Sequence, residues 1–481
     1  MFDVLTDILS YQWFYNTLLI IYAVTTISII GVVLSENRNP VKSLAWVTVL
    51  MLLPVVGLVL YLFFGRNIRN TRKISRRSRR RLKRREAIPV VDFSSLDLSE
   101  ASLQQIRLGR NLTRMPFYPG NDVKIYTSGA EKFADLQRDL AAAQHYINIQ
   151  YYIIEDDHIG RRIRDILVAK AAEGVCVRMI YDHVGSFRVA GKFFRDMRKA
   201  GIQAHPFFKV SFPLLGTRIN WRNHRKLCVI DGQVGYLGGM NIADRYIDGG
   251  KRFKSWRDTH VRVAGPIVNA LRHSFAIDWR FMGLPLVEDT PYPADTLPGN
   301  VGAQLIISGP TSQWSGLEMS FHKAIANAKR RIYIQTPYFL PTDGLLKALQ
   351  TAALANVDTR IMVPRHSDSA MLTYATQSYI AQCLDAGIKI YFYNDGMLHA
   401  KTIIVDDDIC TIGSTNFDFR SFEHNFESNL FFYSRGINEQ MASIFHDDMM
   451  HCTRVHQSEW RKRPITQKAT ESILRLLSPI L

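Results

Sequence analysis

Two stretches of the chain carry the same reactive residue types at the same spacing: HRKLCVIDGQVGYLGGMN (224–241) and HAKTIIVDDDICTIGSTN (399–416). His224 and His399, Lys226 and Lys401, Asp231 and Asp406, Gly238 and Gly413, and Asn241 and Asn416 all differ by 175 positions. Two imidazoles, two ammonium groups and two amides facing one pocket suit a phosphoryl group. Lys and Asn donate to its oxygens and stabilise the charge of a five-coordinate transition state. One neutral histidine can attack phosphorus and form a phosphohistidine. The other, protonated, gives its proton to the departing alkoxide and later takes one from the incoming alcohol or water. The candidate catalytic set is therefore His224, Lys226, Asp231, His399, Lys401 and Asp406, with Lys226, Asn241, Lys401, Asn416 and Ser414 as phosphate contacts. Within it, Asp231 and Asp406 suit strand ends or turns better than chemistry.

Each imidazole needs a carboxylate to fix its tautomer and orientation, because its pKa near 6.5 is easily moved. Asp258 in WRDTH and Glu427 in NFESN lie at comparable places downstream of the two motifs and are the candidates. Spacing alone fits an ordinary ion pair as well. Carboxylates are too few beside these cations for a hard metal cage, so neither a metal nor a cofactor is expected. The run Asp406-Asp407-Asp408 reads as a turn after a strand. One motif in isolation would be an ordinary strand with polar ends; two copies matching at five positions are not.

On a strand, residues i and i+2 share a face, so each His projects with its Lys while the residue between them faces away. The repeat extends upstream: YINIQYY (146–152) resembles IYIQTPY (332–338), GVCVRMIYD (174–182) resembles NVDTRIMVP (356–364), and KAGIQAHPF (199–207) resembles DAGIKIYFY (385–393). Helix-like segments lie between these apolar runs, which predicts an α/β fold of two similar lobes from an internal duplication. The expected boundaries are 121–282 for the first lobe, a proline-marked linker over 283–300, and 301–481 for the second lobe with a C-terminal amphipathic segment. Residues 465–477 of that segment either lie on a membrane or dock on the body. Residues 209–221 read as a lid or interfacial loop, with core as the alternative.

Residues 13–34 and 44–64 hold no charge, and each is long enough to cross a hydrocarbon core of roughly 30 Å. A short connector makes them a transmembrane hairpin over 1–65. The net charge of +17 is concentrated: residues 66–85 carry twelve Lys and Arg and no acid. By the positive-inside bias the body faces the cytoplasm, and the basic run, part of a juxtamembrane segment and linker over 66–120, either marks topology or holds anionic lipid headgroups. With the remainder near charge balance, no nucleic-acid surface is expected. Five scattered cysteines, none in a C-x-x-C arrangement, fit a reducing compartment.

The doubled pattern H-x-K-x4-D-x6-G-[GS]-x-N is the signature of the phospholipase D superfamily. The apolar hairpin, the basic stretch and the C-terminal WRKRPITQKATESILRLLSPIL resemble the bacterial cardiolipin synthases within it. The resemblance covers essentially the whole chain. It implies an enzyme of the bacterial inner membrane, with phosphatidylglycerol as substrate and cardiolipin as product. It further implies His224 as nucleophile and His399 as acid and base, although near-symmetric halves could exchange these roles. One departure is Gly239, where Ser is commoner and the second copy has Ser414. A hydrolase of the same superfamily and a non-catalytic membrane scaffold are the rival readings; the oligomeric state is not legible.

Overall fold

The computed structural model describes residues 2–35, 40–53, 56–57, 60–61, 91–209, 221–293 and 296–478. They fall into two compact units, the N-terminal helices and everything from residue 91 onward. The basic run 66–85, the connector at 36–39 and residues 210–220 lie outside the described residues.

The N-terminal unit begins with a helix at Phe2–Ser35. Its stretch Gln12–Gly31 is long and apolar enough to cross a membrane. At 1.5 Å per residue, twenty residues span roughly 30 Å. A second helix, Pro40–Leu52, is apolar from Ser43 but shorter. Tyr22 donates its hydroxyl to the Leu50 carbonyl at 2.9 Å, and Trp46 meets Tyr61 edge to face. Part of the expected second span, 44–64, lies outside the described residues.

The large unit is built on one continuous sheet whose two halves repeat the same order. From its outer edge inward, the first half runs Gln203–Phe207, Cys176–Asp182, Tyr146–Tyr151, Leu227–Ile230, Val234–Gly238, His260–Ala264 and Phe117–Tyr126. In the second half the order is Lys389–Tyr393, Asp358–Pro364, Arg331–Gln335, Thr402–Val405, Ile409–Gly413, Asn425–Tyr433 and Val301–Ser308, with Cys452–Arg454 added outside. The halves join where Phe117–Tyr126 pairs antiparallel with Val301–Ser308. Leu227–Ile230 and Thr402–Val405 are wholly buried, as their unbroken apolar runs require of strands covered on both faces. Each half has its own apolar core, one around Leu136, Ile149 and Leu167 and the other around Leu317, Ile334 and Leu349.

Two boundaries differ from expectation. Residues Glu100–Thr113, inside the predicted linker, form a helix capped by Ser99, whose Oγ accepts from the Ser102 amide at 3.1 Å. Ile106 is buried in the second half's core, and Gln105 donates to the Ser320 carbonyl at 3.1 Å. The strand Phe117–Tyr126 likewise begins before residue 121. The repeat also slips by one residue: Ile147 faces Ile230 and Ile332 faces Val405, so Ile147, not Tyr146, corresponds to Ile332. The stretch 283–300 has neither helix nor strand among its described residues and returns onto the first half, where Asp289 pairs with Arg178 at 2.8 Å.

Candidate active site

Both His-x-Lys triplets lie on extended segments just ahead of the central strands Leu227–Ile230 and Thr402–Val405. Each segment is stitched to the opposite half. Arg222–Asn223 pairs parallel with Asn425–Phe426, and Met397–Leu398 pairs parallel with Trp256–Arg257. The His224 amide donates to the Phe426 carbonyl at 3.0 Å, and the His399 amide to the Arg257 carbonyl at 2.7 Å.

The residue after each accepting carbonyl is a carboxylate, and it takes the imidazole of the other half. His224 Nδ1 lies 2.9 Å from Glu427 Oε1, and His399 Nδ1 lies 2.6 Å from Asp258 Oδ2. Both carboxylates are fully buried. Lys401 Nζ also lies 2.9 Å from His399 Nδ1. With each Nδ1 turned to a buried carboxylate, the position left to each ring is Nε2. Aromatic rings complete the walls: Tyr152 stands edge-on to His224 at 4.9 Å, and Trp256 and Tyr246 lie 5.4 and 5.8 Å from His399.

Burial pushes both imidazoles down to about 4, Glu427 and Asp258 notwithstanding, so each ring is neutral at pH 7. Burial also opposes charge on Glu427, but the hydrogen bonds from His224 and the Ser414 hydroxyl, with Lys226 nearby, hold the carboxyl below its ordinary range. Lys226 Nζ donates to the His224 carbonyl at 2.6 Å, and Lys401 Nζ donates to the His399 carbonyl. Burial lowers Lys401 to about 8 and carries Lys226 well below the usual lysine range. The two motifs meet: Lys401 lies close enough for its charge to act on both His224 and Lys226.

Ser414 and Asn241 depart from expectation. Ser414 Oγ donates to Glu427 Oε2 at 2.5 Å and accepts from the Ser428 amide at 3.0 Å, so the hydroxyl expected on phosphate is engaged on the carboxylate behind His224. At the matching place in the first half, a Cβ on Gly239 would come within 2.1 Å of Asp258 Oδ1. A serine there would displace the shorter carboxylate that holds His399, which accounts for the glycine. Asn241 is committed to the protein: its Oδ1 accepts from the Ile153 amide at 3.0 Å and its Nδ2 bonds Tyr246 at 2.5 Å. Asn416 Oδ1 is buried with no hydrogen-bond partner among the described residues.

Asp231 and Asp406 stand beyond the far ends of their strands, both with positive φ. Asp231 accepts from the amides of Gln144, His145 and Tyr146, and Asp406 from those of Lys329, Arg330 and Arg331. They fasten the start of the neighbouring strand and make no contact with either histidine, so their inclusion in the catalytic set is corrected to a structural place. The sequence reading missed Asn425, which donates to Glu427 at 3.1 Å, and the aromatic walls. Among the described residues, no group of three or more His, Cys, Asp or Glu side chains is placed to hold a metal ion.

The chain matches the family described as cardiolipin synthase, phospholipase D-like domain, over residues 136–279 and 321–449. Residues 20–66 match the phospholipase D-nuclease N-terminal family. It is 37% identical to the cardiolipin synthase of Alkalihalophilus pseudofirmus over 98% of this chain and 95% of that one. Identity to the major cardiolipin synthase of Bacillus subtilis is 38%, over 94% of this chain and 96% of the other. Among solved structures, the phosphatidylserine synthase of Haemophilus influenzae superposes with a TM-score of 0.60 at 15% identity, covering 79% of this chain and all of that one, a likeness of fold. Nearly full-length identity to these enzymes, together with the doubled motif and its shared pocket, establishes that the chain belongs to the cardiolipin synthase family of phospholipase D-like enzymes.

Proposed function

We propose that this enzyme transfers a phosphatidyl group from one phosphatidylglycerol to another, giving cardiolipin and glycerol. The observation that carries the reading is the crossed pair of buried histidine–carboxylate contacts in one pocket, supported by family membership. His224 Nε2 attacks phosphorus while the P–O bond to glycerol breaks, and His399, which gains a proton at Nε2 once the phosphodiester anion lies beside it, passes that proton to the departing alkoxide. In the second half-reaction, His399 takes the proton from a glycerol hydroxyl of the second phosphatidylglycerol. That oxygen attacks phosphorus, the P–N bond breaks, and His224 is restored. Lys226, Lys401 and Asn416 face the phosphoryl oxygens; Glu427 and Asp258 hold the rings.

Both substrates remain in the bilayer, which fits a two-helix hairpin over 1–65 in the bacterial inner membrane. The basic run 66–85 then places the catalytic body on the cytoplasmic side and holds anionic headgroups. Purified enzyme in vesicles of phosphatidylglycerol should release glycerol and cardiolipin in equal amounts, resolved by chromatography. Phosphatidic acid in place of cardiolipin would make the enzyme a hydrolase, and absence of turnover would make it a scaffold.

Burial disfavours charge on Lys226 and on both rings, and a phosphodiester beside them offsets that penalty. The anion raises the pKa of Lys226 and of the rings, so protons move from solvent to the site. Titration with a short-chain phosphonate analogue of phosphatidylglycerol at pH 7, in buffers of different ionisation enthalpy, should show net uptake of about one proton per site. Release, or no exchange, would contradict this electrostatic account.

A further inference from the structure

The C-terminal helix Ile465–Leu476 turns Gln467, Glu471 and Leu474 towards the body. Its buried residue is Glu471, which pairs with Arg463 at 2.7 Å and accepts from Gln467 at 2.9 Å. The Arg475 guanidinium lies 4.4 Å from the ring centroid of Tyr379. The opposite side exposes Ile465, Ile473 and Leu476, at 83%, 63% and 81%. With the exposed Ala469 between them, these positions recur at helical spacing and form one apolar stripe. Arg461, Lys462 and Lys468 are exposed beside it.

The helix runs parallel to Ala370–Asp385, since Gln467 meets Gln377 and Arg475 reaches towards Gln382. That neighbour exposes Met371 and Tyr374 in its first turns. Just ahead of them is Asp368, which accepts from Tyr338 at 2.6 Å and whose charge acts on His399 and Lys401. The helix that carries the C-terminal helix therefore begins two residues after Asp368, whose charge reaches the His399 side of the site.

We propose that these two helices form the face by which the catalytic body rests on an anionic bilayer, with Ile465, Ile473 and Leu476 inserted among the headgroups and the basic flank on lipid phosphates. Apolar residues outward with cations beside them fit such an interface. A second copy of the chain is a poorer occupant, because five exposed apolar side chains fall far short of the roughly 1,200 Å² of a stable protein interface. The inference rests on the lipid-substrate reading above and adds how substrate headgroups reach the site from the membrane plane.

The test uses the full-length chain in vesicles, with Cys176 and Cys452 replaced by serine. An environment-sensitive fluorophore on Ile473→Cys should shift to the blue and resist aqueous iodide in vesicles containing phosphatidylglycerol, more so than in phosphatidylcholine. The same label on Leu354→Cys, exposed on another helix, is the reference. In parallel, the triple variant Ile465→Ser, Ile473→Ser, Leu476→Ser should lose about tenfold in kcat/KM on long-chain phosphatidylglycerol vesicles. Water-soluble dihexanoyl phosphatidylglycerol, which needs no bilayer, should be turned over as by the parent enzyme. A label open to iodide, an equal loss on both substrates, or shielding that depends on protein concentration would each overturn the proposal. Parent turnover of the short-chain substrate reads the chemistry separately.

Discussion

Replacing His224 with alanine should lower turnover by roughly 10³-fold or more on every substrate, because no other group on the proposed path can bond to phosphorus. His399→Ala should be equally inactive on phosphatidylglycerol, whose glycerol leaves as a strongly basic alkoxide. The two variants should part on an activated diester with a nitrophenyl leaving group, which departs without a proton. There His399→Ala should give a burst of nitrophenolate close to one per active site, and an acid-labile phosphoenzyme should accumulate. His224→Ala should give neither. The reverse pattern would exchange the two roles, and wild-type-like turnover of phosphatidylglycerol in either variant would end the two-histidine mechanism.

Glu427→Gln should cost roughly 10²–10⁴-fold in kcat with little change in KM. The substitution keeps shape and volume but presents an amide nitrogen where Nδ1–H needs an acceptor. It also leaves Lys226 without the nearby buried charge that favours its protonated form. With that nitrogen towards it, the ring answers by changing tautomer, which puts the proton on the nitrogen that must attack. Nitrogen-15 NMR of labelled histidine should register that exchange for His224 while His399 is unmoved. Asp258→Asn should do the converse. A loss confined to KM, or unchanged tautomers, would reduce Glu427 to a packing residue.

Much of this site was legible in the sequence because duplication aligns it: two His-x-Lys triplets at one spacing identify the paired residues without knowledge of the fold. Asp258 and Glu427 were also within reach, as acids at comparable places after each motif. Which histidine each one holds was not, because spacing is blind to the parallel ladders that carry Phe426 and Arg257 across to the opposite half. Ser414 was misread for a related reason. A hydroxyl in a motif suggests substrate, and only the fold reveals that Glu427 reaches it first. Asp231 and Asp406 followed the motif into the catalytic set, although their left-handed backbone and three amide partners each are the marks of a turn. The helix Glu100–Thr113 hid in a polar stretch because its stability comes from docking on the second half, which local composition does not record.

The crossed pairing also orders events during synthesis of the chain. His224 emerges from the ribosome 203 residues before Glu427, the carboxylate that aligns it. At translation rates of about 5–20 residues per second, that interval is roughly 10–40 s. Throughout it the first half can fold around its own core, yet its reactive histidine has no partner to fix its tautomer. A chain broken off between the two motifs would carry one complete copy of the signature and no working site.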